Sequence, residues 1–261
     1  MSYTGIELLQ QGSVATLWLN RPEVHNAFDE HLIAAVTGAL RSLDSDQSVR
    51  VVVLAGRGKS FCAGGDLAWM RRMAGYSEAE NLKDAAALAE MYRALAQLSK
   101  PTVARVHGAA LGGGTGLVAA CDMALATPEA SFGTTEVRLG LMPATISPYV
   151  IAAIGARAAH RYFLSGERID SATALRLGLV NEICTGDTLD ARLSELSGAL
   201  LAGGPAAQAA CKRLIADISG QPLNAALIAD TSARIADIRA GAEAREGVQA
   251  FFEKRKPLWN S

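Results

Sequence analysis

Three segments in the first half of the chain have the hydrophobic pattern of strands. Residues 14–20 (VATLWLN) alternate between apolar and polar positions, while residues 49–56 (VRVVVLAG) and 101–108 (PTVARVHG) are apolar runs that end at glycine. Alternation predicts a strand with one buried face, and an apolar run closed by glycine predicts a strand buried on both faces. We therefore expect three buried strands within the first 108 residues.

Helical patterns separate these strands. Asp29 is placed to cap a helix over residues 30–45, and Ser77 with Glu80 forms a capping-box pattern before a second helical segment that runs to residue 99. Strands that alternate with helices predict crossover connections and a mainly parallel sheet, so the expected fold class is α/β.

Two further short strands are predicted at residues 123–128 and 130–136, after which alanine-rich helical patterns dominate. The final 60 residues predict three helices, one of which starts at the Gly-Gly-Pro sequence of residues 203–205. The chain is therefore predicted to divide near residue 195, into a core of residues 1–195 and a helical C-terminal region of residues 196–261.

Composition excludes several classes of protein. With 50% hydrophobic and 20% charged residues, a net charge of −1 and no long basic run, the chain predicts a globular protein that does not bind nucleic acid. The start lacks the pattern of a signal peptide, and no apolar run reaches about 18 residues, which predicts a cytoplasmic protein that does not enter a membrane. Neither a zinc site nor a disulfide framework is indicated by the four widely spaced cysteines, Cys62, Cys121, Cys184 and Cys211.

Glycine-rich turns follow three of the predicted strands, at residues 55–67 (AGRGKSFCAGGDL), 107–117 (HGAALGGGTGL) and 132–143 (FGTTEVRLGLMP). Ligands bind beyond the carboxyl ends of parallel strands. These turns match neither the dinucleotide fingerprint nor the phosphate loop of nucleotide hydrolases. Two glycine turns from separate strands can instead direct two backbone N–H groups at one oxygen atom, which makes an oxyanion hole.

Together these motifs resemble those of the enoyl-CoA hydratase/isomerase (crotonase) superfamily. The resemblance implies a spiral of ββα units and a helical C-terminal region that forms a homotrimer, commonly paired into a hexamer. It implies no metal and no cofactor, since coenzyme A is part of the acyl-CoA substrate. It extends over nearly the whole chain, in the segments 19–28 (LNRPEVHNAF), 60–67 (SFCAGGDL), 106–117 (VHGAALGGGTGL), 132–143, 159–183 and 251–257 (FFEKRKP).

The resemblance also implies which residues form the site. Gly65 and Gly113 are expected to present their N–H groups to the thioester oxygen of an acyl-CoA, and the basic residues 253–256 to contact the coenzyme phosphates across a subunit boundary. Five further residues are expected to line the bent coenzyme: His25, Ala27, Ala63, Asp66 and Leu67. His107, His160 and Cys62 are interpreted as structural.

One catalytic carboxylate is expected rather than two. Hydratases of the family that use two acids carry a glutamate where this chain has Gly116, whereas the second acid is retained as Glu136. Glu136 is therefore the predicted general acid–base, with a pKa raised by the apolar acyl chain beside it. Either this carboxylate relays both protons of a hydration, or the reaction is a Δ3,Δ2 double-bond shift. A non-catalytic RNA-binding or scaffold role is a third hypothesis, against which the charge balance argues.

Residues 132–169 most resemble bacterial 3-methylglutaconyl-CoA hydratases of leucine breakdown, a subgroup that tends to lack the first glutamate. This favours hydration of a branched, carboxylated 2-enoyl-CoA. Our hypothesis is that the distal carboxylate of the substrate enters the space vacated at Gly116, with Arg71, Arg72 or Arg138 as its cation. Residues 70–81 are predicted to form a loop over the acyl end. Trp69, Met70 and Met73 there either contact the acyl chain or anchor the loop.

Overall fold

The computed structural model describes residues 4–260, and a six-stranded sheet is its main layer. The strands lie in the order β1-β2-β3-β4-β6-β9. β1 pairs with β2 antiparallel, and every later pair in this sheet is parallel. Their bounds are β1 Ile6–Gln11, β2 Val14–Leu19, β3 Val51–Gly56, β4 Thr102–Val106, β6 Met123–Ala126 and β9 Glu182–Ile183.

A second, smaller sheet has the order β5-β7-β8, formed by Ala109–Leu111, Ser131–Gly133 and Ile169–Asp170. Two isolated parallel bridges extend it, one between Cys62 and Ala110 and one between Phe28 and Gly65. Successive passes of the chain therefore add one segment to each layer. This repetition places the glycine turns that follow the main-sheet strands side by side.

Ten α-helices lie within the described residues. Their bounds are α1 Glu30–Ser45, α2 Leu67–Met73, α3 Glu78–Ala96, α4 Gly113–Ala120, α5 Ser147–Ser165, α6 Ser171–Leu177, α7 Leu189–Ala202, α8 Pro205–Ile218, α9 Ala225–Ala240 and α10 Ala242–Phe252. Gly155 has a non-helical backbone and divides α5 into two segments. Glu136 opens a short 3-10 helix, Glu136–Leu139.

Two hydrophobic clusters hold the layers together. The larger one joins the main sheet to α1, α3 and α4, with Tyr92, Phe28 and Phe61 among its fully buried side chains. The smaller one packs α7 against the opposite face of the sheet, through Val51, Val103 and Leu125. Burial on both faces explains why β3 is a continuous apolar run rather than an alternating one.

Several expectations from the sequence are confirmed. The side chain of Asp29 accepts a hydrogen bond from the N–H of Leu32 at the start of α1, and Ser77 and Glu80 form the capping box of α3. The three predicted C-terminal helices are α8, α9 and α10.

Other expectations need correction or stay open. The loop predicted over residues 70–81 is wrong for most of its length, because α2 and α3 occupy all of it except residues 74–77. The boundary predicted near residue 195 lies inside α7, whose leucines pack on the sheet, so the division into residues 1–195 and 196–261 stays a prediction.

Residues 4–260 contain neither a membrane-spanning helix nor a cluster of metal-binding side chains. None of the helices in this range has both the length and the apolar character needed to cross a bilayer. Over the same residues, His, Cys, Asp and Glu side chains do not gather in threes around a point where a metal ion could bind.

Candidate active site

Two glycine turns lie in contact at the centre of the candidate site. The first glycine turn, residues 62–66, follows β3, and the second glycine turn, residues 111–114, joins β5 to α4. The Leu111 N–H donates to the Cys62 carbonyl at 2.9 Å, and a Cβ placed on Gly64 would lie 2.9 Å from the Leu111 oxygen and 3.8 Å from the Cα of Gly112. The predicted convergence of the two turns is therefore present in the fold.

Each turn offers an N–H group, that of Gly65 or of Gly113, for which no acceptor lies in the described chain. Phe28 donates to the Gly64 oxygen and accepts from the Asp66 N–H, both at 2.7 Å, so the N–H of Gly65 between them is bypassed. Gly113 is the first residue of α4, and its N–H consequently has no intrahelical acceptor. Within residues 4–260 both groups are free to donate to a ligand oxygen, as an oxyanion hole requires.

Packing and backbone geometry explain why the second glycine turn lacks side chains. Gly112 has φ of 49° and ψ of −119°, a conformation that residues with a Cβ rarely adopt. A Cβ on Gly113 would collide with the Phe28 ring and would lie 2.6 Å from the Tyr92 hydroxyl. Gly113 is therefore required by tight packing on its buried side, while its N–H remains available on the other.

Glu136 lies beside the second glycine turn. Its Oε1 is 3.1 Å from the position that a Cβ on Gly112 would take. Its Oε2 is buried and has no hydrogen-bond partner within the described residues. Burial raises the pKa of this carboxyl group, opposed only by a backbone hydrogen bond. A carboxyl group with a raised pKa and an uncommitted oxygen is suited to proton transfer.

The space at Gly116 is filled. A Cβ on this residue would collide with the side chain of Ile146 and would lie 3.1 Å from the ring of Tyr92. Ile146 is only 2% exposed. The expectation that a substrate carboxylate enters a vacant space here is therefore wrong, because an isoleucine occupies it.

Comparison with known proteins decides the family. The sequence model for "Enoyl-CoA hydratase/isomerase" matches residues 9–261 of the chain. The chain belongs to the enoyl-CoA hydratase/isomerase family. It is 33% identical to 2,3-dehydroadipyl-CoA hydratase of Escherichia coli strain K12 over 95% of each chain, and 29% identical to crotonyl-CoA hydratase of Syntrophomonas wolfei over 98% of each.

Solved structures agree with this assignment to the enoyl-CoA hydratase/isomerase family. An enoyl-CoA hydratase from Shewanella pealeana is 41% identical and superposes with a TM-score of 0.95, over 98% of this chain and 96% of that one. The fold is the crotonase fold that the sequence motifs imply. An acyl-CoA thioester as substrate is consistent with this membership.

The side chain of Asp66, which is expected beside the coenzyme, bonds to other groups of the protein. Its carboxylate caps α2 by accepting from the N–H groups of Ala68 and Trp69, and it pairs with Arg21 at 3.2 Å. Burial opposes ionisation of Asp66, but these two backbone donors and the Arg21 guanidinium outweigh it, so its pKa lies below the ordinary value. Leu67, by contrast, is 81% exposed and free to contact a ligand.

The other residues expected to line the coenzyme lie together. The N–H of Ala63 donates to the His25 carbonyl at 3.0 Å, and the Arg21 guanidinium donates to the Ala27 carbonyl at 2.8 Å. His25 has a left-handed backbone, and its Nδ1 lies 3.0 Å from the Ser60 hydroxyl. Their role toward the coenzyme stays a prediction.

Asn26 is a residue that sequence reasoning missed. It is fully buried, and its side-chain amide donates to the carbonyls of Arg57, Ser60 and Phe61 while its Oδ1 accepts from the Arg21 N–H. Its φ is 57°, in the region that asparagine tolerates better than most residues. An asparagine following a Pro-containing turn was the available signal.

The three arginines proposed as partners for a distal carboxylate do not converge on the site. Arg72 pairs with Glu30 at 2.7 Å near the surface, and Arg71 is exposed. Arg138 lies across Gly166 at the end of α5, with its Nε 3.0 Å from the position of a Cβ there. Arg138 shares the 3-10 helix of Glu136, but within the described residues no ion pair joins Glu136 to any of the three arginines.

The apolar residues proposed for the acyl end divide into two groups. Trp69 is 4% exposed, and its indole N–H donates to Asp84 at 3.2 Å, so it anchors α2 to α3; Met73 packs on the same core. Met70 lies against Gly65, with Sδ 3.3 Å from the position of a Cβ there. Met70 is therefore the residue of this group placed beside a predicted oxyanion donor.

Cys62 and His107 have the surroundings of structural residues. Cys62 is fully buried, and burial raises the pKa of its thiol to about 12, which keeps it protonated. His107 Nε2 lies 2.8 Å from the Gly58 carbonyl, and the residue lines a cavity of about 370 Å³ on the α7 side of the sheet. A larger cavity of about 640 Å³ lies along the second half of α5, and His160 is one of the residues that line it.

Proposed function

We propose that this protein hydrates 2-enoyl-CoA thioesters through an enolate intermediate. The N–H groups of Gly65 and Gly113 hold the thioester oxygen of this enolate, and Glu136 is the single acid–base. The observation that carries the proposal is the juxtaposition of a carboxyl group that has one buried, unpartnered oxygen, Glu136 Oε2, with two free backbone N–H groups. Hydratase names among the relatives support it.

One carboxylate is sufficient for the proton balance of a hydration. The Glu136 carboxylate takes a proton from water while the water oxygen bonds to C3 of the enoyl group. The electrons of the double bond move to the thioester oxygen, where two N–H donors stabilise the negative charge. Glu136, now protonated, returns that proton to C2, and the 3-hydroxyacyl thioester forms. Neither a metal nor a cofactor beyond the coenzyme A of the substrate enters these steps.

A Δ3,Δ2 double-bond shift is the second candidate. It is favoured by the same observation, since a single base can remove a proton from C2 of a 3-enoyl thioester and return it to C4. Both reactions are measured by chromatography on the same enzyme, with a 2-enoyl-CoA and a 3-enoyl-CoA of the same chain length as substrates. Hydration forms 3-hydroxyacyl-CoA from the first, and the double-bond shift forms 2-enoyl-CoA from the second. If the enzyme catalyses the double-bond shift but not hydration, the first proposal is overturned in favour of the second.

We further propose a branched, carboxylated substrate such as 3-methylglutaconyl-CoA. The resemblance of residues 132–169 to 3-methylglutaconyl-CoA hydratases supports this substrate, and one relative is a hydratase named for 2,3-dehydroadipyl-CoA. Because Ile146 fills the space at Gly116, the distal carboxylate has to lie elsewhere. We expect kcat/KM for 3-methylglutaconyl-CoA to exceed that for crotonyl-CoA by about tenfold or more, measured by loss of enoyl absorbance. Equal values for the two would remove the reason for this assignment.

A homotrimer, or a hexamer formed by two trimers, is proposed as the assembly. α8 and α9 contain no buried residues, and several large apolar side chains of the C-terminal region are exposed, namely Ile215, Leu223, Ile228, Phe251, Phe252 and Leu258. Exposed apolar surface of this extent favours association. Sedimentation equilibrium at micromolar concentration is expected to give three or six times 27.3 kDa. A monomer under these conditions would contradict the proposal.

The basic segment 253–256 is also proposed to contact coenzyme phosphates across a subunit boundary. Arg255 is already paired with Glu246 and Glu253, both at 2.6 Å, which leaves Lys254 and Lys256 as the cations of this segment without an ion pair in the described chain. A cytoplasmic location remains part of this proposal.

A further inference from the structure

Thr115, on the first turn of α4, makes contacts that the proposed mechanism does not use. It is fully buried. Its hydroxyl oxygen lies 2.7 Å from the Ala110 carbonyl, 3.1 Å from the Gly133 N–H nitrogen and 3.1 Å from the Gly133 carbonyl. A hydroxyl has one proton to donate, so the shortest contact assigns it to Ala110, and a lone pair then accepts from Gly133.

These partners belong to the two halves of the site. Ala110 lies in β5, which leads into the second glycine turn, and Gly133 is the last residue of β7, three residues before Glu136. β5 and β7 pair over only three residues each, ending at Leu111 and Gly133. The Gly112 N–H also donates to the Gly133 carbonyl, at 2.7 Å. The Thr115 hydroxyl therefore joins both strands near their ends, through the Ala110 carbonyl and the Gly133 N–H.

We infer that Thr115 is a positioning residue that fixes the distance between the Gly113 N–H and the Glu136 carboxyl group. This inference rests on the proposed function. The connection from Gly133 to Glu136 is Thr134 and Thr135, and only Thr134 of these two is buried, with its hydroxyl on the Tyr162 carbonyl at 3.2 Å. A displacement of the Gly133 backbone therefore reaches Glu136 through only two intervening residues. Displacement of a reacting group by about 1 Å can cost roughly 10²-fold in rate.

The test uses Thr115→Val, which keeps the shape of the side chain and removes the hydroxyl. We expect kcat to fall by about tenfold or more, with the KM for the enoyl-CoA and the Kd for a saturated acyl-CoA within about threefold of wild type. Thr115→Ser restores the hydroxyl and is expected to return kcat to within about threefold of wild type. A role in folding alone would lower the melting temperature of the valine variant and leave its kcat unchanged.

Thr102→Val is the matched control. Thr102 is also a buried threonine with two hydrogen bonds, donating to Asp122 Oδ2 and accepting from the Asp122 N–H, but it lies at the start of β4, away from the glycine turns. Its valine variant is expected to lose thermal stability and keep kcat within about twofold. The same loss of kcat in both variants, or no rescue by serine, would overturn the inference.

A separate readout distinguishes this inference from the proposed function. Exchange of the α-protons of butyryl-CoA in D2O requires an oxyanion hole and a nearby base, but neither hydration nor a double-bond shift. Wild type that exchanges protons without hydrating any enoyl-CoA would reject hydration, and Thr115 is then judged on the exchange rate, with the same tenfold loss expected. If Thr115→Val does not fold, Thr115→Ala at 10 °C takes its place. An unchanged exchange rate in whichever variant is measured contradicts the positioning role.

Discussion

Glu136→Gln is expected to lower kcat for hydration by about 10²–10⁴-fold, the range found for general acid–base groups, while the affinity for a saturated acyl-CoA stays within about threefold of wild type. Glutamine keeps the shape of the side chain and its neighbours around Gly112, but it cannot carry a proton between water and C2. Stopped-flow measurement of enoyl absorbance, with calorimetry of acyl-CoA binding, separates the two effects. Hydration near the wild-type rate would refute the assignment of Glu136.

The same variant has an expected effect on stability. Burial raises the pKa of Glu136 above its ordinary value of 4.5 in the folded state, so the folded protein binds this proton more tightly than the unfolded chain does. Wild type therefore loses stability as the pH rises from 4.5 through the raised pKa. Glutamine has no such loss. The melting temperature of Glu136→Gln is expected to exceed that of wild type at pH 7.5, and the difference to shrink toward zero below pH 4.5.

Glu129→Gln serves as the control for both measurements. Glu129 is exposed just before β7 and lies outside the candidate site. Its variant should keep kcat within about twofold and should show no gain in melting temperature at pH 7.5. A comparable change at both positions would mean that lost surface charge, rather than the chemistry at Glu136, explains the result.

Gly116→Glu, which introduces the glutamate of two-acid hydratases, is expected to destabilise the fold by at least about 4 kcal/mol rather than improve hydration. A Cβ alone collides with Ile146, and overpacking of a core costs about 1–3 kcal/mol. The carboxylate adds a further loss of about 3–5 kcal/mol because it has no partner in this buried position. Urea denaturation followed by circular dichroism measures the change.

Gly198→Glu is the matched control, because Gly198 lies in α7 with open space around it and an exposed position. There the substitution should be neutral or should stabilise by up to about 1 kcal/mol, since glutamate favours a helix more than glycine does. Combining Gly116→Ala with Ile146→Ala should lower the cost of the first change, as a double-mutant cycle would show. Full stability of Gly116→Glu would mean that the packing around Ile146 is loose.

The glycine turns show how far sequence reasoning reached into the site. Strand patterns, helix caps and the turns themselves are local signals, and the structure contains each of them, although the strands predicted at 123–128 and 130–136 are shorter, at Met123–Ala126 and Ser131–Gly133. The nearness of Glu136 to the second glycine turn followed only from the family resemblance, because no local pattern relates residues 112 and 136. Asn26 and Thr115 were missed because each also bonds to a segment far away in the chain: Thr115 to Gly133, 18 residues later, and Asn26 to residues 57–61, 31 to 35 residues later.

The wrong expectation at Gly116 has a different cause. A glycine in place of a glutamate predicts vacant space only if its neighbours stay unchanged, and the filling of that space by Ile146, 30 residues later, is a property of packing between α4 and the start of α5. Likewise the sequence names arginines as candidate partners for a substrate carboxylate but does not contain their contacts: Arg72 pairs with Glu30, and Arg138 lies against Gly166.

The sequence by itself determined the α/β class, the main strands and helix starts, and the glycine turns that can offer free N–H groups, since these depend on hydrophobic period, capping and backbone freedom within a few residues. Only the tertiary structure decided which N–H groups remain unbonded, how deeply Glu136 is buried and what fills the space beside Gly116. Those properties arise when segments far apart in the chain exclude water from one another, and no local stretch of sequence contains that information.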